Sequence, residues 1–309
     1  MRARTLFAAF VILLGLAAAP RSALAWDELG HMVVVRIAWS ELSPATRARV
    51  TAILLEAPAD AGLVQLRPAP DDPQRDLMFA AYASTWPDII RRHEPAERHA
   101  YHRPPWHYIN WFWSEGTDGE IIASSTLKPD TVNIAVELER QSRIVADSAA
   151  PAAERAVALA WLLHLVGDIH QPLHASARVT AEEPAGDKGG NTFKLDGTMS
   201  LHWYWDEVLT ARYPRRTEET DEAYVARVTA SVVANVPRDS LAPRLAEPSF
   251  DLWAMESLQA AERQVYCCGV TRGAAAPESY LAHADAVSEP AIALAGHRLA
   301  ALLERLLGA

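Results

Sequence analysis

Residues 164–174 read His164-Leu165-Val166-Gly167-Asp168-Ile169-His170-Gln171-Pro172-Leu173-His174, and they close an apolar run from Ala156 to Leu165. That run is long and periodic enough for a buried helix. His164 and Asp168 are four residues apart, so on a helix both side chains leave one face and can share a cation. Pro172 lacks an N–H and pushes Gln171 out of the α region, so the helix ends and the chain bends before His174. The bend lets one segment serve two metal centres. Each residue alone also has a plainer use, since a helical His satisfies core hydrogen bonds and a helix-end Asp caps. Together, neutral imidazole and carboxylate form a donor set that suits zinc.

Outward from this segment, the N-terminus carries Arg2 and Arg4, an apolar stretch from Leu6 to Ala19 and a small-residue exit at Ala23-Leu24-Ala25. This pattern predicts a secretory signal peptide over residues 1–25, with a secreted or periplasmic chain starting at Trp26. No later apolar run is long enough to anchor the chain in a bilayer. Residues 26–309 contain no repeat, Ser/Gly-rich linker or low-complexity block, which favours one domain. The formal charge is −10, and it becomes −13 when Arg2, Arg4 and Arg21 leave with the signal. So acidic a surface argues against a broad basic nucleic-acid patch, and any polyanion must be held through bound cations. Cys267 and Cys268 are the only cysteines. A bridge between neighbours is uncommon, so the chain has no disulfide framework and rests on an ordinary core, with metals as possible staples.

Asp27 to Leu42 keeps helical spacing at Leu29, Val33, Ile37 and Ala38, with Asp27 as the cap. His31 falls in its first turns and by itself reads as a helix-surface histidine. A free α-amine at Trp26 has a pKa of about 8 and can bind a metal near neutral pH. Leu55 to Asp76 reads as a long surface connection. In Ser84-Thr85-Trp86-Pro87-Asp88, Asp88 alone reads as a cap or turn residue, and Arg91 is spaced to meet an anion beside it.

Trp106 to Trp111 is β-leaning, and an extended course would send His107 and Ile109 one way and Tyr108 and Asn110 the other. His93, His99 and His102 sit among charges and read as exposed. Pro129 to Ala146 predicts a helix with Val132, Val136 and Ile144 on its stripe. A polar loop with Gly189-Gly190-Asn191 leads into a small hairpin near 192–197. Leu201-His202-Trp203-Tyr204-Trp205-Asp206 then repeats the His-x-x-x-Asp spacing at the start of a helix running to about Arg212. Further helices are expected at Asp221–Asn235, Phe250–Cys268 and Ser279–Leu307, the last broken by Pro290. His283 and His297 have no carboxylate at metal spacing and read as structural.

The set Trp26, His31, Asp88, His107, His164, Asp168, His174, His202 and Asp206, with Gly189-Gly190-Asn191, resembles the secreted zinc-dependent single-strand nucleases and 3′-nucleotidases of fungi, plants and bacteria. Those proteins are related in fold to the zinc phospholipases C, and the resemblance spans essentially all of residues 26–309. It implies a mainly α, single helical domain of the zinc phospholipase C and nuclease type, with a short β-hairpin and long loops.

The resemblance also implies three zinc ions per chain. One is expected on Asp88, His107, His164 and Asp168; a second on the Trp26 amine and carbonyl, His31 and a shared Asp168; a third on His174, His202 and Asp206. The implied reaction is in-line attack of water on phosphorus, yielding 5′-phosphate products from single-stranded RNA and DNA, with 3′-nucleotidase activity. Asp88 would orient or deprotonate the water, and Arg91 would stabilise charge on the phosphoryl oxygens. Tyr108 matches an aromatic that stacks on a nucleobase, and Asn191 matches a substrate contact. At Asn110 fungal members carry an aspartate, so base preference does not carry over. The fungal cysteine pairs are also missing, as in a bacterial-type member.

Two rival readings remain from sequence. A zinc phospholipase C shares the Trp start and much of the His/Asp set, but the Gly-Gly-Asn loop and the His202–Asp206 helix fit the nuclease pattern better. A zinc-storage or zinc-stapled binding protein would have no use for Arg91 or for ligand sets left open to water. No protein partner is implied.

Overall fold

A computed structural model describes residues 26–92 and 100–308. The expected signal peptide, His93 and His99 lie outside the described residues.

α1 (Glu28–Glu41) starts where Asp27 Oδ1 accepts a 3.0 Å hydrogen bond from Gly30 N, the expected cap. α2 (Pro44–Leu55) and α3 (Arg75–Ile89) follow, neither of them expected from sequence. α3 overturns the turn reading of Asp88, which lies in the last turn of a helix that retains Pro87. The helix survives there because it buries Leu77, Met78, Phe79, Ala83 and Trp86, and this packing offsets the missing proline donor. Between α2 and α3 the chain is the expected connection, although Ala61 and Leu63 turn inward to the core.

α4 (Ile134–Ala146), with Asn133 as its cap, begins five residues later than the sequence suggested. Its stripe is also rotated from the expected one: Ile134, Leu138, Gln141 and Val145 are buried, whereas Val132 and Val136 are 45% and 48% exposed. Asn133 decides this register, because its side chain caps Ala135 N and Val136 N. α5 (Ala152–Asp168) is the predicted buried helix, apolar on nearly all sides from Ala156 onward, and it packs against α1, α2, α3, α4 and the last helix.

The strands are β1 (Trp111–Glu115), β2 (Ile121–Ala123) and β3 (Ser176–Arg178), in the order β2-β1-β3. β1 and β2 form the hairpin, so the hairpin expected near 192–197 reduces to one bridge between Lys194 and Ser200. β3 runs parallel to β1 with Trp111 opposite Ser176, an arrangement that fastens the chain after Pro172 to the chain after His107.

α6 (Leu201–Asp206) and α7 (Val208–Arg212) divide at Glu207 the single helix expected there. α8 (Asp221–Asn235) keeps its predicted bounds. After a short turn of helix, α9 (Ala242–Leu245), α10 (Phe250–Ala260) runs into a π turn over Ala261–Val265 and stops short of Cys268. α11 (Glu278–Leu307) is continuous through Pro290, contrary to the predicted break. Its second half lies flat on α1, where a Cβ at Gly296 would come 2.6 Å from Ile37 Cβ, and this close packing holds the helix together across the proline. One hydrophobic cluster runs from Trp26 to Leu307. Among the described residues no helix is long and apolar enough to cross a membrane.

Candidate metal centre

Three imidazoles are set by backbone carbonyls. His164 Nδ1 donates to Ser84 O at 2.7 Å, His174 Nδ1 to His107 O at 2.6 Å and His202 Nδ1 to Gly189 O at 2.7 Å. A carbonyl only accepts, so each Nδ1 carries the proton and each Nε2 keeps a lone pair for a cation. The Ser84 carbonyl belongs to α3, the His107 carbonyl to the segment before β1 and the Gly189 carbonyl to the Gly-Gly loop. Three separate pieces of chain thus aim the ligands.

α5 delivers Asp168 one turn beyond His164, with Asp168 Oδ2 at 3.1 Å from His164 Nε2 and 3.0 Å from His107 Nδ1. His107 Nδ1 is in turn 3.0 Å from His164 Nε2. A proton can bridge only one pair of this trio, whereas a cation satisfies all three. The other carboxylate oxygen, Asp168 Oδ1, is 3.2 Å from His31 Nε2, yet both atoms are buried without a hydrogen-bond partner. His31 stacks on His164 with ring centroids 4.1 Å apart. The stack is possible because residue 167 is glycine: a Cβ there would come 2.7 Å from His31 Nδ1. His31 is thus buried, against the surface reading.

Asp88 joins this group from α3, its carboxylate lying with ligand atoms of His31 and His164 all within 4.8 Å of one another. A second group forms across the bend, where His174, His202 and Asp206 meet the same limit. There His174 and His202 stack at 4.9 Å, and His174 Nε2 and Asp206 Oδ2 are buried without hydrogen-bond partners. Trp26 is fully buried, and the next residue ties it to this region through Asp27 N donating to Asp206 O at 3.0 Å. Orphaned buried donors and acceptors in two clusters fit cations, since leaving them bare is unfavourable.

Protonation follows the same geometry. Burial pushes the Asp168 carboxyl up, but His164, His107 and His31 outweigh it and hold the carboxyl well below the usual range. Burial, with His174 adding repulsion, pushes His202 down to about 3. Burial also lowers His31 and His174, so these imidazoles are neutral and ready to ligate at neutral pH. Asp206 moves the other way: burial raises it well above 3.8, helped by Asp88, Asp168 and Asp27, and only the Gln171 hydrogen bond opposes.

The clusters open into a cavity of about 620 Å³ lined by Asp88, Arg91, His107, Tyr108, Asn110, Asn191 and His202. The expected alternation along 107–110 holds for Tyr108 and Asn110 against Ile109, and only His107 departs from it. Pro104–His107 is a 3₁₀ turn, so His107, Tyr108 and Asn110 all reach the cavity while Ile109 enters the core. His102, expected to be exposed, is partly buried and lines the same cavity, as do Phe112 and Lys188. Lys188 was legible as a cation beside a glycine pair, whereas nothing local in the sequence marked His102 or Phe112.

Away from the cavity, Cys267 and Cys268 form the uncommon bridge between neighbours, with His283 Nε2 3.4 Å from Cys267 Sγ. His297 is structural, paired with Glu41 at 2.6 Å.

Comparison with known proteins agrees with this geometry. Endonuclease 4 of Arabidopsis thaliana is 26% identical over 300 residues, covering 92% of this chain and 90% of that protein. Endonuclease 2 of the same plant is 34% identical over 160 residues, so in that match the chain spans about half the relative's length, 52%. The S1/P1 Nuclease family model matches residues 26–308, which takes in every ligand and cavity residue described above. The chain belongs to the S1/P1 nuclease family.

Proposed function

We propose that this chain is a zinc-dependent endonuclease that hydrolyses single-stranded RNA and DNA to 5′-phosphate products, with 3′-nucleotidase activity, using three zinc ions. The observation that carries the reading is Asp168, whose two carboxylate oxygens face two different ligand sets, His31 on one side and His107 with His164 on the other. A carboxylate that bridges in this way suits a pair of close cations.

Asp88, His107, His164 and Asp168 would hold one ion, the Trp26 terminus with His31 and Asp168 a second, and His174, His202 and Asp206 a third. Bound zinc supplies Lewis-acid polarisation of phosphoryl oxygens and acidifies water. The chain's own groups do the rest. Asp88 orients the attacking water and accepts its proton, and Arg91 offers a fork of donors to the non-bridging oxygens. Tyr108 stacks on an unpaired base, while Asn110 and Asn191 present amides to the substrate. A base must leave its duplex to stack on Tyr108, which supports a single-strand preference.

Residues 26–309 act as one catalytic domain, exported after removal of residues 1–25. The test is zinc content together with hydrolysis of single-stranded DNA and of phosphatidylcholine by protein starting at Trp26. Cleavage of DNA to 5′-phosphate ends supports the proposal. Products ending in 3′-phosphate, or activity on the lipid alone, would overturn it.

A further inference from the structure

Lys188, Gly189 and Gly190 are three consecutive residues in the left-handed region, with φ of 55°, 62° and 78°. Two of them have a steric reason to be glycine. A Cβ at Gly189 would stand 2.4 Å from Leu173 O, and one at Gly190 would press on Leu173 and the His202 backbone at 3.3 Å. Both contacts belong to the metal centre, since Gly189 O fixes the His202 ring and Leu173 precedes His174.

Position 188 needs the same backbone conformation but carries a long cationic side chain instead. Glycine would adopt it without strain, and an L-residue pays for it. The surroundings force the conformation. Asp187, 1% exposed, anchors the turn by accepting from Arg178 N at 2.9 Å and from the Tyr266 hydroxyl at 2.5 Å. On the other side, Asn191 Nδ2 donates back to Lys188 O at 2.9 Å.

The fold makes no use of the Lys188 side chain. It is exposed, and among the described residues its ammonium has no hydrogen bond or ion pair. It lines the cavity that holds Asp88, Arg91, Tyr108 and Asn191. In a chain of charge −10 this places a flexible cation at the mouth of a site for polyanions.

We infer that the strained Lys188 forms a second phosphate subsite, which holds a phosphodiester next to the scissile one in a single-stranded substrate. The inference rests on the proposed nuclease reading and adds to it a residue that favours longer strands. Arg91 acts on the phosphoryl group being cleaved, whereas Lys188 acts on its neighbour. A point charge on a flexible stem suits a strand whose sequence varies.

The experiment compares zinc-loaded wild type, Lys188→Gly and Lys188→Arg on a tetranucleotide and on a dinucleoside monophosphate, which has no flanking phosphodiester. The ratio of the two kcat/KM values should fall about fivefold in Lys188→Gly and be kept in Lys188→Arg. For the tetranucleotide, the slope of log kcat/KM against log salt should become shallower by about 0.7 in the glycine variant only, the value for one lost contact to a single strand. Lys188→Gly should melt no lower than wild type, because it relieves the left-handed strain. Equal losses on both substrates would place the ammonium on the scissile phosphate and overturn the inference, as would an unchanged ratio and salt slope. Wild-type protein that cleaves neither substrate would instead sink the nuclease reading, and the subsite with it.

Discussion

Gln171 Nε2 donates a 2.7 Å hydrogen bond to Asp206 Oδ1, joining the bend after α5 to the end of α6 across 35 positions of sequence. Both side chains are buried, and the bond leaves Asp206 Oδ2 3.6 Å from His202 Nε2 with no hydrogen-bond partner of its own. Gln171 Oε1 also accepts from Leu173 N at 2.5 Å, so one amide sets the bend and aims the carboxylate. Gln171→Ala should weaken metal binding at His174, His202 and Asp206 by about tenfold, the usual effect of removing a group that orients a ligand. Zinc titration of the metal-free variant, read as a change in the weakest or strongest of its affinities, checks this.

Asp168 and His174 should differ in what they lose. Asp168→Asn removes charge facing both His31 and the His107–His164 pair, whereas His174→Ala touches one group. The asparagine variant should therefore hold fewer zinc ions and melt lower than the alanine variant, because metal binding adds to folding free energy. Metal analysis and thermal unfolding on the two proteins side by side decide it. Full zinc and normal turnover in Asp168→Asn would remove the shared carboxylate from the scheme.

Gly167→Ala separates the two ligand groups. Its Cβ would stand 2.7 Å from His31 Nδ1 and 3.0 Å from His31 Cε1, so the ring must leave its stack on His164. The expected result is loss of metal held with His31, at least tenfold lower activity and retention of metal on His174, His202 and Asp206. A crystal structure of the zinc-soaked variant would show which ions remain.

Acid should unfold the metal-free protein partly through His170. Burial, and then the adjacent Arg298, push this imidazole well below 6.5; its Nδ1 donates to Val166 O at 2.7 Å and its Nε2 accepts from Arg298 Nη1 at 3.0 Å. The folded ring stays neutral while the unfolded ring takes a proton below 6.5. Below that pH the unfolded state binds more protons, so stability is fully present above it and falls as the pH drops. One such group contributes a slope of about 1.4 kcal/mol per pH unit. His170→Gln should flatten denaturant-measured stability by about that amount between pH 4 and 6, and an unchanged slope would show that the ring titrates normally.

The chain start offers a further test. If the Trp26 amine and carbonyl bind zinc, residues left in front of Trp26 convert the amine into a peptide nitrogen, which is a poor ligand. Protein with such an extension should bind fewer zinc ions and turn over far more slowly while keeping its helical content. Simple blockage of the cavity predicts low activity with an unchanged zinc count, and equal counts with equal activity would remove Trp26 from the site.

Features that depend on neighbours within about one turn of helix were legible in the amino-acid order. His164 with Asp168, and His202 with Asp206, are four apart, and helical geometry alone puts each pair on one face. Pro172 ended regular helix by its own chemistry, and Gln171 is extended with ψ of 120°. The Asp27 cap and the bounds of α8 followed from equally local signals.

Features set by packing between distant segments were not legible there. Asp88 reads locally as a turn residue beside Pro87, but burial of Trp86 and Phe79 carries α3 through the proline and brings the carboxylate to His31 and His164. The apolar stripe of α4 is not legible locally, because Val132 and Val136 are as hydrophobic as the residues that are buried, and the Asn133 cap chooses between the two faces. The parallel pairing of β1 with β3, the Gln171–Asp206 bond and the strained turn at Lys188 each join or shape segments far apart in sequence. No periodicity encodes such contacts, because the free energy that selects them is the burial of a whole core and appears only once the chain has closed on itself.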